Sequence, residues 1–325
     1  MHGRAQRWAA VTALLVGIGL ATAPLAFGMF SRAPLGGTMI DEFRPYMVEA
    51  KIAAFRDSMD TIDAAVVGIG EVRAGLIESG TVTSDEFDVQ YSGVTQLVDE
   101  WATIEADMSD LLDRMDANMG NYRAVAALPP FPLFPWFFVL PGVMVAALAG
   151  SILWSLRDPT RRDGSSPRRR LWALAALGVA IIAAPIAFQM FTRAPQGGDM
   201  IDSFRPMMTR ERVQSVQRSF VILGGAEGQM RVGLVPAYLA AGGDEVATVA
   251  IDEFSTQWPT IVSDFNPMIA TMSDNIDNFQ AVDALPPFAL FPWFFAIPGA
   301  IVASCAAIGL RGSASPTQSS EKEPS

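Results

Sequence analysis

Two similarly spaced sets of arginine and aspartate residues are the first residues in this chain whose types suggest chemistry. They are Arg32, Asp41 and Arg44, and Arg193, Asp202 and Arg205. Arginine offers a rigid fork of donors that matches phosphate and carboxylate, so each set could bind an anion. The interpretation we favour is a local salt bridge and cap that orders the chain at this point. The neighbouring glycine pairs lack the Gly-Lys-Ser/Thr sequence of a phosphate-binding loop.

Asn118 and Asn275 are polar residues within otherwise apolar, helix-spaced runs. A buried amide is costly unless it is paired, and one established use of such an amide is to set helix register or partner choice. We therefore interpret the pair as a register or interaction feature, with a polar ligand site as the alternative. If the two runs pack together, the two amides could face each other.

Methionines are frequent outside the most apolar segments of the chain. Clustered thioethers can bind Cu(I), but most of these methionines fall on the apolar face of a helix, where methionine is ordinary packing material. We predict no metal and no cofactor. The methionines concerned are Met39, Met47, Met108, Met115, Met200, Met208, Met268 and Met272.

Few residue types suited to catalysis are present. His2 is the only histidine and Cys305 the only cysteine, so histidine-based catalysis, common zinc sites and an intramolecular disulfide are excluded. We predict no catalytic residues and a protein that is not an enzyme.

The chain repeats itself. Residues 29–45 return as 190–206, and residues 127–138 return as 284–295. Two long blocks that match in the same order indicate a tandem duplication, and each copy carries the same kinds of segment. The predicted symmetry is a pseudo-twofold axis along the membrane normal.

Four charge-free apolar runs predict transmembrane helices at 9–29, 131–154, 171–191 and 288–310. Each is long enough for a hydrocarbon core that needs about 20 helical residues. The first run also resembles a signal peptide, but its counterpart in mid-chain favours retention. Trp136 and Trp293 fall where an aromatic belt is expected at the membrane interface.

Charge predicts the orientation. The N-terminus carries Arg4 and Arg7, and the linker 157–170 has a net charge of +4, whereas segments 30–130 and 191–287 have net charges of −11 and −6. Positive charge prefers the cytoplasmic side, so we predict a multi-pass protein of the cytoplasmic (plasma) membrane with both termini cytoplasmic and both large segments extracytoplasmic. The acidic exterior argues against nucleic acid as a partner and against tight docking on anionic headgroups, so we predict no nucleic-acid partner.

A three-four spacing of apolar residues predicts helices in coiled-coil register within both large segments. One seam runs from Val94 to Val125 and its counterpart from Ile251 to Val282. One upstream run begins at Val48, and Arg73 interrupts its spacing. The other begins at Val213, and its spacing is broken at Gly224-Gly225. Ser84 is predicted to cap a helix. Each segment should be an antiparallel helical hairpin, and the two should pack as a four-helix bundle because one hairpin leaves its apolar face uncovered.

The predicted fold is therefore an all-α integral membrane protein. Repeat 1 (1–156) holds spans 9–29 and 131–154 around a hairpin at 38–128, and a basic cytoplasmic linker follows at 157–170. Repeat 2 (171–310) holds spans 171–191 and 288–310 around a hairpin at 199–285, before a disordered tail at 311–325.

Three functions from different classes fit these features. We favour a non-enzymatic bacterial envelope protein whose acidic helical segments bind a protein partner, as a scaffold, assembly factor or transporter accessory. A receptor-like ligand-binding module without an output domain is the second. A carrier or channel for a lipid or small neutral solute is the third, since the charge-free spans argue against ion coupling.

Overall fold

The computed structural model describes residues 2–157 and 167–312. The structure is 89% helical, and the described residues contain no strand. The chain folds into two compact units. The span unit comprises residues 1–37, 124–199 and 281–325, and the acidic unit comprises residues 38–123 and 200–280.

The span unit contains the four predicted apolar helices. Four helical segments are long and apolar enough to cross a membrane, namely Arg4–Ala26, Phe131–Arg157, Arg168–Ala187 and Phe288–Arg311. They belong to α1 (His2–Ala26), α6 (Phe134–Arg157), α7 (Pro167–Ala187) and α13 (Phe291–Gly312). Short 3-10 turns, Phe131–Leu133 and Phe288–Leu290, lead into α6 and α13.

The predicted spans 9–29 and 171–191 extend too far at their C-terminal ends. Helix α1 ends at Ala26, and Gly28 adopts a positive φ of 62° before α2 (Met29–Phe43) begins. Helix α7 ends at Ala187, and Gln189 adopts φ 53° before α8 (Met190–Phe204). The left-handed residue redirects the chain at the same place in both repeated blocks, which hydropathy alone does not show.

Glycines bring the span helices into backbone contact. A Cβ built on Gly142 of α6 would lie 2.5 Å from the Ala21 nitrogen of α1, and one built on Gly178 of α7 would lie 2.7 Å from the Ala303 nitrogen of α13. Small residues let helices approach closely, which is a main source of association where lipid removes the hydrophobic driving force. The span unit is thus built from two tightly crossed helix pairs, α1 with α6 and α7 with α13, and α1 also packs on α13 and α6 on α7.

The acidic unit contains the long polar helices. They are α3 (Glu49–Glu78), α4 (Ser84–Gln90), α5 (Ser92–Ala126), α9 (Arg210–Gln229), α10 (Val235–Ala240), α11 (Val249–Asp274) and α12 (Ile276–Asp283). A π-helical turn, Met230–Leu234, joins α9 to α10, and a 3-10 turn, Glu245–Thr248, precedes α11.

The predicted seams are buried almost without exception. All ten seam positions from Val94 to Val125 are buried, and nine of ten are buried from Ile251 to Val282, with Trp258 half-buried. Upstream, Ile52, Phe55 and Ile62 are buried as the spacing predicts. The three-four pattern therefore identified the helix faces that form the core of this unit.

Three details of the predicted helices were wrong. The N-cap of α4 is Thr83, one residue before Ser84, because Thr83 and Glu86 form a reciprocal capping box. The backbone N–H and the hydroxyl of Thr83 both donate to the Glu86 carboxylate and lower its pKa. Val48 is the N-cap of α3 and is exposed, so the buried face starts at Ile52. The buried face of α9 does not stop at Gly224-Gly225, because the helix continues to Gln229 with Ala226 buried.

Four antiparallel helices form a closed ring in the acidic unit. Helix α3 meets α5 through Trp101 Nε1, which donates to Asp63 at 2.9 Å, and α5 meets α9 through an Arg212–Asp107 ion pair at 2.6 Å. Helix α9 meets α11 through the Phe220 and Phe265 rings, 5.0 Å apart. A Lys51–Asp264 ion pair of 2.7 Å then joins α11 to α3.

Predictions for the middle of the basic linker (158–166) and for most of the tail (313–325) lie outside the described residues.

Candidate functional site

Arg32 and Arg193 hold corresponding positions in the span unit, each bound to the other repeated block. Arg32 Nη1 donates to the Ala284 carbonyl at 3.0 Å, and Arg193 Nη1 donates to the Ala127 carbonyl at 3.0 Å. Helix α2 thus reaches the chain that leads into α13, and α8 reaches the chain that leads into α6. Each arginine therefore links the start of the helix that follows one span to the chain segment that leads into another span.

The other members of the arginine–aspartate sets form local ion pairs. Arg44 pairs with Asp41 at 2.5 Å, and Arg205 pairs with Asp202 at 2.6 Å, each at i,i+3 spacing. Their side chains are more than half exposed, so each pair contributes at most about 1 kcal/mol. These pairs have the geometry of the local salt bridge that we favoured, whereas Arg32 and Arg193 make a different kind of contact.

Asn118 and Asn275 are both buried and fully hydrogen-bonded. Asn118 Nδ2 donates to Ser203 Oγ at 2.8 Å, and Asn275 Nδ2 donates to Glu42 Oε2 at 2.6 Å. Each Nδ2 also donates to the carbonyl four residues before it, and each Oδ1 accepts from the asparagine three residues after it. The structure therefore gives each amide a partner on α8 or α2 rather than the other amide.

Sequence reasoning did not find Glu42 and Ser203, the partners of the two amides. They occupy the same position in the repeated blocks 29–45 and 190–206, but the residue type differs. Arg114 Nη1 also donates to the Ser203 carbonyl, at 2.7 Å. The only sequence signal for these partners was that positions 42 and 203 correspond in the two blocks. Because the residue type differs between them, the shared role as a hydrogen-bond acceptor was not evident.

An apolar cavity of about 60 Å³ lies inside the acidic unit. Seven of its fourteen lining residues are methionines, and the fourteen form seven pairs of corresponding positions in the two repeated blocks. The lining residues are Met39, Ile40, Phe43, Met47, Leu111, Met115 and Tyr122, with Met200, Ile201, Phe204, Met208, Met268, Met272 and Phe279. Methionine is flexible and polarisable, so such a wall adapts to apolar shapes.

Tyr122 is the one polar side chain of the cavity wall. Its hydroxyl donates to the Ile40 carbonyl at 2.5 Å, and its counterpart Phe279 has no hydroxyl. Burial raises the pKa of Tyr122, and a bond with Arg44 lowers it by a smaller amount. The hydroxyl thus remains a protonated donor at neutral pH.

Trp136 and Trp293 lie at the N-terminal ends of α6 and α13 and are about half exposed. Each ring packs edge-on against a phenylalanine near the start of α2 or α8: Phe30 with Trp136 at 5.5 Å, and Phe191 with Trp293 at 5.4 Å. An indole with one exposed edge suits the interface of a bilayer.

No group of three or more histidine, cysteine, aspartate or glutamate residues able to hold a metal ion occurs within residues 2–157 and 167–312. Comparison with protein-family models found no match, and a search of curated proteins found no similar sequence.

Proposed function

We propose that this chain is a non-enzymatic, duplicated, multi-pass membrane protein of the bacterial envelope whose acidic unit binds a protein partner. Both termini lie in the cytoplasm, and both large segments lie outside the membrane. The role is that of a scaffold, assembly factor or transporter accessory.

Matched contacts support the duplication. The Arg32 and Arg193 bonds, the Gly17 and Gly178 helix contacts and the two amide clusters each occur once per repeated block, although the partner of the amide is Ser203 in one cluster and Glu42 in the other. The charge distribution supports the orientation, because the acidic unit carries 28 acidic and 11 basic residues, whereas Arg4, Arg7 and the arginines of the linker 157–170 lie at the opposite ends of the first three apolar runs in the sequence.

Exposed valines at one end of the acidic unit are the observation that carries the partner proposal. Val89, Val232 and Val246 are 81%, 71% and 75% exposed. Val89 and Val232 share one end of the helix ring because Gln229 Oε1, at the end of α9, accepts from the Gly93 nitrogen at the start of α5, at 2.9 Å. Val246 lies at the same end because its turn, Glu245–Thr248, precedes α11, which runs antiparallel to α9. We name these three residues the distal valines.

The surroundings of the distal valines define the partner. The exposed carboxylates at this end are Glu78, Asp85, Glu86, Asp244 and Glu245. Apolar side chains within an acidic surface suit a protein with an apolar contact ringed by lysine or arginine, because interfaces combine an apolar centre with a polar, charge-matched rim.

The test is co-purification of the unmodified full chain from native membranes after gentle solubilisation. The same purification is then made with a variant in which Val89, Val232 and Val246 are changed together to serine. A matched control changes Val67 and Val221, which are 61% and 73% exposed on the sides of α3 and α9. We expect a stoichiometric protein companion that the distal variant loses and the control retains. Equal recovery from both variants, or no companion from the unmodified chain, would contradict the proposal.

The methionine-lined cavity supports a second candidate, a receptor-like module or a carrier for an apolar ligand. Ligand sites are concave and mostly apolar with few polar groups, and this wall has Tyr122 as its single hydroxyl. The test is photo-crosslinking of the chain in nanodiscs with a diazirine-labelled fatty acid. Adducts on Met115 and Met272 that excess unlabelled fatty acid removes would favour this candidate, and adducts confined to the four spans would exclude it.

A further inference from the structure

Two apolar clefts lie in the span unit, at corresponding places. One lies between α1 and α13 and has a volume of about 330 Å³, and the other lies between α7 and α6 and has a volume of about 130 Å³. Eleven lining positions of the first correspond to lining positions of the second. We name them the first and second clefts.

Each cleft is formed by the first span of one repeated block and the second span of the other. In the first cleft, Leu20 and Phe27 of α1 and the turn after it face Phe294 and Pro298 of α13. In the second, Ile181 lies on α7 and Phe137 on α6. The first cleft is larger and is also lined by Trp293, whose counterpart Trp136 does not line the second.

The length of the clefts matches one leaflet of a bilayer. The lining of the first cleft along α1 runs from Val16 to Phe27, which is about 16 Å at the helical rise of 1.5 Å per residue. A hydrocarbon core is about 30 Å thick, so the cleft covers about half of it. An acyl chain of one leaflet has this reach and this chemistry.

An arginine side chain lies at the end of each cleft. Arg32 donates to the carbonyls of Ala284 and Phe27, at 3.0 and 3.5 Å, and Phe27 and Pro286 line the first cleft. Arg193 donates to the Ala127 carbonyl, close to Pro129 and Phe188 of the second cleft. A guanidinium has five N–H donors, and the carbonyl bonds use only Nη1, so the fork keeps donors for a phosphate.

We propose that each cleft binds one zwitterionic glycerophospholipid, with an acyl chain along the spans and the phosphate on Arg32 or Arg193. The arginine selects the phosphate, and the net charge of −11 of the chain disfavours lipids of net negative charge. This proposal rests on the membrane location in the proposed function but not on the protein partner, so a failed partner capture leaves it standing.

Native mass spectrometry of the full chain with added phosphatidylethanolamine tests the proposal. We expect two lipids to remain bound per chain. Phosphatidylglycerol should bind more weakly, and millimolar inorganic phosphate should not displace the lipid. Phosphatidylglycerol binding as tightly would overturn the charge argument, and displacement by phosphate would show a headgroup-sized anion site in place of a lipid site.

Variants separate the phosphate from the acyl contacts. Arg32→Gln should weaken one of the two lipids about tenfold, because a charge-assisted bond is lost. Gly19→Leu should remove the lipid of the first cleft, since Gly19 lines it and a Cβ there meets no atom within 4 Å. Gly150→Leu is the control, because its Cβ also meets nothing within 4 Å and it lines neither cleft.

Because Arg32→Gln also removes the bond to Ala284, its folding is checked by thermal unfolding in the same detergent. Gly19→Leu keeps that bond, so it tests the cleft independently. Two tightly bound lipids on Gly19→Leu, or loss of lipid from Gly150→Leu to the same degree, would contradict the proposal.

Discussion

Gly17 on α1 lies directly against Gly142 on α6. A Cβ on Gly142 would come within 2.7 Å of the Gly17 carbonyl oxygen, and a Cβ on Gly17 within 2.8 Å of the Gly142 oxygen. Gly178 and Gly299 repeat the arrangement between α7 and α13, where a Cβ on Gly178 would lie 2.9 Å from the Gly299 oxygen. Two reciprocal glycine contacts therefore set the closest approach of the spans.

Gly142→Leu should destabilise the span unit by roughly 1–3 kcal/mol or more, because the side chain meets backbone that cannot yield without separating the helices. Thermal unfolding in detergent measures the effect. Gly150→Leu, on the same helix in open space, should leave the midpoint nearly unchanged. Equal midpoints for the two variants would mean that the helices do not approach this closely.

Asn118 and Ser203 should be energetically coupled. Asn118→Ala and Ser203→Ala each remove the same 2.8 Å bond, so the double variant should cost less than the sum of the two single variants by about 0.5–1.5 kcal/mol. Chemical unfolding of all four proteins measures the coupling. The pair Asn118 and Asn275 serves as the comparison, and strictly additive losses for Asn118 and Ser203 would show that the bond does not form.

Tyr122 should make the acidic unit sensitive to alkaline pH. Burial raises the pKa of its phenol above the ordinary value of about 10. This contribution to stability is therefore fully present below pH about 10 and is lost as the pH rises through the raised, folded-state pKa. Tyr122→Phe, which copies Phe279, should lose about 1 kcal/mol at neutral pH and flatten the alkaline decline.

Tyrosinate absorbance and unfolding midpoints between pH 9 and 12 give the readout for Tyr122. Tyr91→Phe is the comparison and should flatten a separate part of the decline, because burial also raises the pKa of Tyr91, which lies outside the cavity wall. An alkaline decline that Tyr122→Phe leaves unchanged would assign the effect to other groups.

Labelling in intact cells should reveal the orientation. With Cys305 replaced by alanine, a Val89→Cys variant should react with a membrane-impermeant maleimide, because this position is 81% exposed on the acidic unit. An Arg161→Cys variant, altered in the basic linker, should react only after the cells are opened. Reaction of both positions, or of the linker alone, in intact cells would reverse the proposed topology.

The sequence by itself determined the helices and their buried faces. Charge-free runs and three-four spacing are local properties, so the spans and all ten seam positions from Val94 to Val125 followed from them. The ends of the spans did not, because Gly28 and Gln189 turn the chain within runs that stay apolar.

Only the tertiary structure decided which repeated block each surface contacts. Arg32 bonds to Ala284 rather than Ala127, and Asn118 bonds to Ser203 rather than Glu42. A repeated sequence presents the same surface twice, so it specifies what a surface binds but not in which copy the partner lies. That choice depends on how closely the backbones pack, as at Gly17 and Gly142, and these distances exist only once the chain has folded.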